Sequence, residues 1–263
     1  MIYKRGQALL IAIMLLATAI TIALAITYRS TTDTQLTKLE EESQRALAAA
    51  EAGIEAAIRS NSNVTIADLN LGVGFSGSAT IDTTSNRTNF ISPNIEKDGQ
   101  YAFYLAKYDP STNAFTTNGA NRYNGTVRFY FGTNNKKTCN GTRNAPALEV
   151  TLVKVSGTIE RLLIEPCSSN KIGTSDLNTN DNGTLDGVSF DYFTETLAIS
   201  NEKLMFVRVF YSDTKIGIKG NNALPLQGRI IVSEATSPGG VTKKVQLFQS
   251  YPQIPAEFFV TQF

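Results

Sequence analysis

The longest apolar run in the chain lies at its N-terminus and leads into a helical pattern without proline. Residues 8–28 carry no charge, and as a helix they would be about 31 Å long, which matches a bilayer core. Beyond them, apolar or small residues recur three or four positions apart, which is the spacing of one helix face. They are Leu36, Leu39, Ser43, Leu47, Ala50, Ile54, Ala57 and Ile58. The pattern predicts one helix over residues 7–59, with a transmembrane part at 8–28.

The pattern changes at residue 60, where Asn, Thr, Ser and Gly become frequent. Residues 70–98 indicate loops with at most one short strand. Further on, short runs rich in β-branched and aromatic residues predict strands. These runs are 101–108, 126–131, 147–155, 158–165, 203–211, 228–234 and 242–251. We therefore expect an α+β protein, in which a long N-terminal α-helix precedes a β-rich, mainly antiparallel globular domain over residues 60–263.

Composition narrows the classes of function. The chain has no histidine and a net charge of +1. Without histidine it cannot form a His-based catalytic triad or an imidazole zinc site. No other catalytic constellation stands out, so we do not expect an enzyme. Nucleic-acid binding usually depends on a basic excess, so no nucleic-acid partner is predicted from the charge.

The N-terminus admits three interpretations. Lys4 and Arg5 precede the apolar run, which favours an N-in, C-out orientation in the cytoplasmic membrane. A plain signal anchor would explain the hydropathy alone. A secretory signal could be cleaved at residues 23–25, Ala-Leu-Ala, but its apolar region would be longer than is usual. The third interpretation is that the apolar run is the first part of a longer helix. It accounts for residues 46–52, an alanine-rich segment of high helix propensity that neither a signal anchor nor a secretory signal requires.

Motifs at both ends of this helix resemble the N-terminal segment of PilX-type minor pilins, within the type IV pilin-like proteins. Residues 5–11 read RGQALLI and residues 48–57 read AAAEAGIEAA. That family typically runs from R-G-x-A-L through an apolar helix to A-A-E-A, and Lys-Arg-Gly at 4–6 resembles a class III signal peptide. The resemblance covers residues 4–59. It implies that prepilin peptidase removes residues 1–6 after Gly6 and that the mature chain starts at Gln7, with a methylated amino group.

The same resemblance implies a structural role. The retained helix would hold the subunit in the inner membrane and then pack against helices of other pilin subunits in a surface filament. Most pilins carry glutamate at the fifth mature position, which is Ile11 here; PilX-type minor pilins and the K-type pseudopilins also lack it. This favours a minor pilin at the tip or start of a type IV pilus, although a divergent major pilin fits as well. The alternatives are a pseudopilin of a type II secretion or DNA-uptake machine, and a membrane-anchored or secreted adhesin.

Two cysteines, Cys139 and Cys167, flank the hairpin expected over residues 147–165. They are too few for a four-ligand zinc site and are not a C-x-x-C pair. Two free buried thiols are one possibility. Export would place the pair in an oxidising compartment, so we expect a disulfide, with a stabilising contribution of about 3–4 kcal/mol.

One segment resembles a calcium loop. Asn178, Asn180, Asn182 and Asp186 place side-chain oxygens at positions one, three, five and nine, with glycine at the sixth, as in an EF-hand. Three asparagines replace the usual aspartates, and Ser189 stands at the twelfth position in place of glutamate. These departures favour an Asn/Gly turn loop and no cofactor; calcium binding by the four residues is the alternative.

Overall fold

The computed structural model describes residues 4–82, 87–116, 118–133, 139, 145–167 and 173–255. The chain divides into two compact units. We call Met1–Asp82 with Ile230–Leu247 the helix unit, and Thr83–Arg229 with Phe248–Phe263 the strand unit. The division differs from the expected boundary between residues 59 and 60, because the second half of the helix buries one face on strands from both ends of the chain.

The helix α1 spans Lys4–Ser60, 57 residues, which confirms the long helix predicted for residues 7–59. Several threonine hydroxyls along it donate to a carbonyl three or four residues earlier, so they are satisfied within the helix. These are Thr18, Thr21, Thr27, Thr31, Thr32, Thr34 and Thr37. The helix ends where Asn61 takes a positive φ of 51°, a conformation that asparagine tolerates at a helix terminus.

The strands follow in chain order. They are β1 Val64–Thr65, β2 Ser76–Asp82, β3 Asn89–Ile91, β4 Gln100–Tyr104, β5 Lys107–Asp109, β6 Ala114–Thr116, β7 Gly125–Phe131, β8 Ala147–Lys154, β9 Ile159–Ile164, β10 Thr179–Leu185, β11 Val188–Thr194, β12 Leu197–Ile199, β13 Glu202–Phe210, β14 Gly217–Gly220, β15 Gly228–Thr236 and β16 Thr242–Ser250. Together with α1 they give the expected α+β layout with antiparallel pairing.

The sheet of the helix unit has the order β1-β2-β15-β16. β2 pairs antiparallel with β15, from Asp82 opposite Ile230 to Ser76 opposite Thr236. β2 lies in the region expected to be mostly loop, and its polar sequence, SGSATID, explains why it was not predicted. Ala79 is its one fully buried residue among those strand positions, so the strand is defined by pairing with β15 rather than by its own apolar pattern.

Among the residues that the structure describes, the strand unit forms three sheets. One has the order β10-β11-β7-β14-β3, with β12 also on β7; the second has the order β4-β13-β8-β9; and β5 pairs with β6. Buried residues from the first two sheets form one core cluster that includes Phe103, Phe129, Phe131 and Met205. The two sheets therefore pack on each other through large apolar side chains, as in a sandwich.

Several strand predictions needed revision in the strand unit. The expected strand over residues 101–108 is divided into β4 and β5, with Leu105 and Ala106 between them. The short strands β3, β6, β12 and β14 and the hairpin of seven-residue strands β10 and β11 were not predicted. Strands of three or four residues are too short for a period-two pattern to stand out, and they form because neighbouring strands supply their hydrogen bonds.

Candidate functional site

The first half of α1 exposes a continuous apolar surface. Its large apolar side chains from Leu9 to Ile26 are each between 50% and 66% exposed. An 18-residue window of this helix has a mean hydropathy of 2.8, and none of the window is buried. The helix is therefore long and apolar enough to cross a membrane. Ile11 is 58% exposed in this segment.

The second half of α1 buries a narrow face of small residues against the sheet of the helix unit. Ala46, Ala50 and Ala57 are fully buried, and Ala49 and Ile54 nearly so. Ala49, Ala50, Ile54 and Ala57 pack against four buried side chains of the same unit, namely Ile66, Ala79, Ile231 and Ala235. The predicted face is thus confirmed at its C-terminal end, where Ala50, Ile54 and Ala57 lie.

Gly53 shows how closely the helix approaches the sheet. A Cβ atom at this position would lie 2.5 Å from both Cδ1 of Ile66 and Oγ of Ser233. At such distances a side chain at this position would force the Ile66 methyl group and the Ser233 hydroxyl to shift, whereas glycine permits the approach without any shift. The segment AAAEAGIEAA, which resembles a pilin motif, is therefore the part of α1 that binds the helix to its own sheet.

Towards the N-terminus the predicted face continues beyond the sheet. Leu36 is 53% exposed, Leu39 is 55% exposed and Leu47 is 41% exposed. These three leucines form an exposed apolar stripe, which we call the leucine stripe. The sheet buries residues of this helix only from Ala46 onward, so Leu36 and Leu39 lie beyond its end, and Leu47 stays exposed within the covered segment.

Glu42 marks the point at which the helix meets the β15–β16 turn. Its Oε2 accepts a hydrogen bond from the Gly239 backbone N–H at 3.2 Å. Hydrogen bonds from the Ser237 hydroxyl and then from Gly239 hold the pKa of Glu42 below its ordinary value. Arg45 approaches Glu42 to 4.0 Å and also pairs with Glu41, as the i,i+4 spacing of Glu41 and Arg45 predicts.

Cys139 and Cys167 form a disulfide, with their Cα atoms 5.4 Å apart. Cys167 is buried and follows shortly after β9, and Cys139 packs partly against the core of the strand unit. The bridge closes a loop across a sequence separation of 28 residues. It therefore ties the chain before β8 to the chain after β9, as expected from the positions of the two cysteines.

The four suggested calcium ligands do not come together. Thr179–Leu185 is β10, a strand paired antiparallel with β11, rather than a loop. Asn178 and Asp186 lie at its two ends, about 26 Å apart at 3.3 Å per residue, whereas ligands of one calcium ion lie within about 5 Å of each other. The Asn178 backbone N–H donates to Glu195, and Asp186 accepts a hydrogen bond from Asn89.

The turn that joins β10 to β11 consists of Asp186 and Gly187, which both have positive φ, as a two-residue hairpin turn requires. Asn180 and Asn182 lie within β10 itself. Across the described parts of the chain there is no group of three or more His, Cys, Asp or Glu that could hold a metal ion. The calcium interpretation is therefore replaced by that of a β-hairpin.

Gly6 and Gln7, the residues of the expected cleavage site, lie in the first two turns of α1. Cleavage between them stays a prediction. Comparison of the chain with protein-family models, with curated proteins and with solved structures finds no match. The geometry of α1 and the motifs at its ends are therefore the features from which a function can be inferred.

Proposed function

We propose that this chain is a structural subunit of a type IV pilus or a related filament, with a minor role at its tip or start. The observation that carries the proposal is the division of α1. One continuous helix is apolar and uncovered over residues 9–28, partly uncovered at the leucine stripe, and bound to its own sheet from Ala46 to Ala57. Such a helix can pass from lipid to a bundle of similar helices without refolding.

The exposed apolar half of α1 is unfavourable in water and requires either lipid or other apolar helices around it. In the membrane, the helix holds the subunit with its N-terminus in the cytoplasm, since Lys4 and Arg5 precede the apolar segment. In a filament, the same surface packs against the helices of neighbouring subunits, where small residues such as Ala12 and Ala19 permit close approach.

The leucine stripe distinguishes this role from that of a plain anchor. An anchor has to be apolar only across the bilayer, which residues 8–28 already achieve. Leu36, Leu39 and Leu47 extend an exposed apolar surface well beyond that segment. Neighbouring helices in a filament would cover it, whereas a single anchored chain leaves it in water.

The motifs support the same role. Lys-Arg-Gly at residues 4–6 provides a site for prepilin peptidase, and the mature chain would begin at Gln7 with the apolar helix retained. Ile11 removes the carboxylate that most pilins place near the N-terminus of a neighbouring subunit. A subunit with no neighbour above it does not need this charge, so the residue favours a tip or initiating position and low abundance.

The test is a deletion of the gene followed by imaging of the cell surface. We expect surface filaments to be lost or sharply reduced, and to be restored by the wild-type chain. A chain that lacks residues 7–59 serves as the matched control and should not restore them. Normal filaments together with a defect in secretion or DNA uptake would identify the pseudopilin alternative. Normal filaments with the chain confined to the membrane would contradict the proposal and favour an anchored adhesin.

A further inference from the structure

The outer edge of β4 is occupied by side chains where a sheet would accept another strand. β4 is the first strand in the order β4-β13-β8-β9, so one of its edges faces β13 and the other faces outward. Gln100, Ala102 and Tyr104 direct their backbone groups outward, because the alternate positions bond to β13. The Leu105 N–H and the Gly99 carbonyl show this inward pattern through their bonds to Lys203 and Val209.

Gln227 pairs with Tyr104 as a residue of a neighbouring strand would. The Tyr104 backbone N–H donates to Oε1 of Gln227 at 2.8 Å. Nε2 of Gln227 donates to the Tyr104 carbonyl at 2.8 Å and to the Pro225 carbonyl at 2.7 Å. Gln227 is only 5% exposed, so its amide completes a buried hydrogen-bond network.

Gln253 repeats this arrangement two residues along the same edge. The Ala102 backbone N–H donates to Oε1 of Gln253 at 2.7 Å. Nε2 of Gln253 donates to the Ala102 carbonyl at 3.4 Å and to the Tyr251 carbonyl at 3.1 Å. In both cases the amide is fixed by the carbonyl two residues before it and presents one donor and one acceptor to β4. The two glutamines therefore imitate the alternating bonds of an antiparallel strand.

The opposite edge of this sheet is occupied in a similar way. On β9, the Leu163 N–H donates to Oδ2 of Asp176 at 2.6 Å, and the Leu163 carbonyl accepts from the Asp176 N–H at 2.7 Å. The Glu165 N–H donates to the Ser175 hydroxyl at 3.0 Å. Side chains from outside the sheet thus satisfy backbone groups at both edges.

We propose that Gln227 and Gln253 close the β4 edge against strand addition, and that this edge accepts an extended segment of another copy of the chain when they are removed. An open sheet edge is a template for pairing with a second chain. Glutamine suits this purpose because its amide presents a donor and an acceptor together, whereas glutamate lacks the N–H donor and alanine lacks both groups. The inference is independent of the filament role.

The first test measures how strongly the two glutamines protect the β4 amides, by amide hydrogen exchange on the full chain in detergent micelles. Gln253→Ala should accelerate exchange at the Ala102 amide by about fivefold, the effect of losing one hydrogen bond, and leave the Tyr104 amide unchanged. Gln227→Ala should give the converse result. Gln246→Ala, at an exposed glutamine of β16, serves as the control and should alter neither amide. Unchanged exchange in both edge variants would overturn the proposal.

The second test measures whether the chain self-associates when both glutamine side chains are removed from the β4 edge. The double variant Gln227→Ala/Gln253→Ala should associate in sedimentation or cross-linking, while the wild type and the Gln246→Ala control do not associate in this way. Adding Ala102→Pro to the double variant removes an outward N–H from the edge strand, a position at which proline is tolerated, and should reverse the association.

A double variant that stays monomeric would overturn the proposal, as would association that Ala102→Pro leaves unchanged. Circular dichroism tests whether the double variant is folded. If it is not, Gln253→Ala with and without Ala102→Pro provides the same comparison, because the bonds between Gln227 and Tyr104 remain in place.

Discussion

The two halves of α1 contain similar small residues but use them against different surroundings. In the second half, Ala46, Ala50 and Ala57 are fully buried because the sheet approaches the helix closely at Gly53. In the first half, the alanines lie among large apolar side chains that are at least half exposed. An apolar helix face therefore does not by itself indicate what covers it. The same composition serves a permanent contact within the chain and a surface that needs lipid or other helices.

A charge introduced into the covered second half of α1 should cause the largest loss of folding stability. Ala50→Lys would bury an ammonium group against Ile66 and Ala235, and we expect the free energy of unfolding to fall by about 3 kcal/mol or more, as for other unpaired buried charges. Thermal unfolding of the full chain in detergent measures it. Ala48→Lys, at an exposed position of the same helix turn, is the matched control and should be close to neutral; equal losses in both variants would contradict the division of the helix faces.

A charge in the uncovered half should affect membrane retention instead. Leu16→Lys places an unpaired lysine near the centre of the apolar segment, at a cost of about 2.5–3.5 kcal/mol for insertion. We expect less chain in the membrane fraction and less assembly, but unchanged unfolding of the helix unit. Val73→Lys, at a residue that is 97% exposed, controls for added charge. A large loss of folding stability in Leu16→Lys would show that the first half also supports the fold.

The close contact at Gly53 can be tested by size rather than by charge. Gly53→Val places atoms where Ile66 and Ser233 already lie, so we expect a destabilisation of about 1–3 kcal/mol from overpacking. Ala48→Val, at an exposed site, reports the cost of a β-branched residue in this helix without the collision. Because glycine is a poorer helix former than alanine, the intrinsic cost of valine at position 53 is smaller than at position 48. A chemical denaturation curve for each variant separates the two effects.

The smallest expected effect is a pH-dependent change in folding stability that depends on Glu42, which lies just before the covered half of α1. Because its pKa is held below 4.5 by Ser237 and Gly239, the carboxylate stabilises the folded state above that pH. This contribution is lost as the pH falls through the lowered pKa. Glu42→Gln should therefore be slightly less stable than the wild type at neutral pH, and the difference should disappear under acidic conditions. A stability difference that is constant across this pH range would exclude a role for the charge.

The sequence predicts the helix well because its signal is long and local. Proline is absent throughout, apolar residues recur at helical spacing, and the predicted and observed ends differ by at most three residues. Its buried face is predicted only in part. Leu36 and Leu39 continue the pattern of Ala50 and Ile54, and nothing in that pattern reveals where the sheet ends.

The sequence predicts strands that are long and apolar, such as β8 and β13, and does not predict strands that form mainly because a neighbouring strand pairs with them. The β10 segment resembles a metal loop because it carries side-chain oxygens at alternate positions, yet alternate side chains of a β-strand also lie on the same face. The glutamines at the β4 edge carry no recognisable motif in sequence. Gln227 and Gln253 are separated from β4 by more than 120 residues, so their role depends on tertiary structure.

The composition of the helix unit also imposes an order on synthesis. The sheet that packs on the second half of α1 takes β2 from before residues 83–229 of the strand unit and most of β15 from after them. During chain elongation the helix emerges first, followed by Ile66 and Ala79, but Ile231 and Ala235 emerge only after residues 83–229. The small-residue face of α1 can therefore be covered only in part while those residues are produced, and β15 completes its cover.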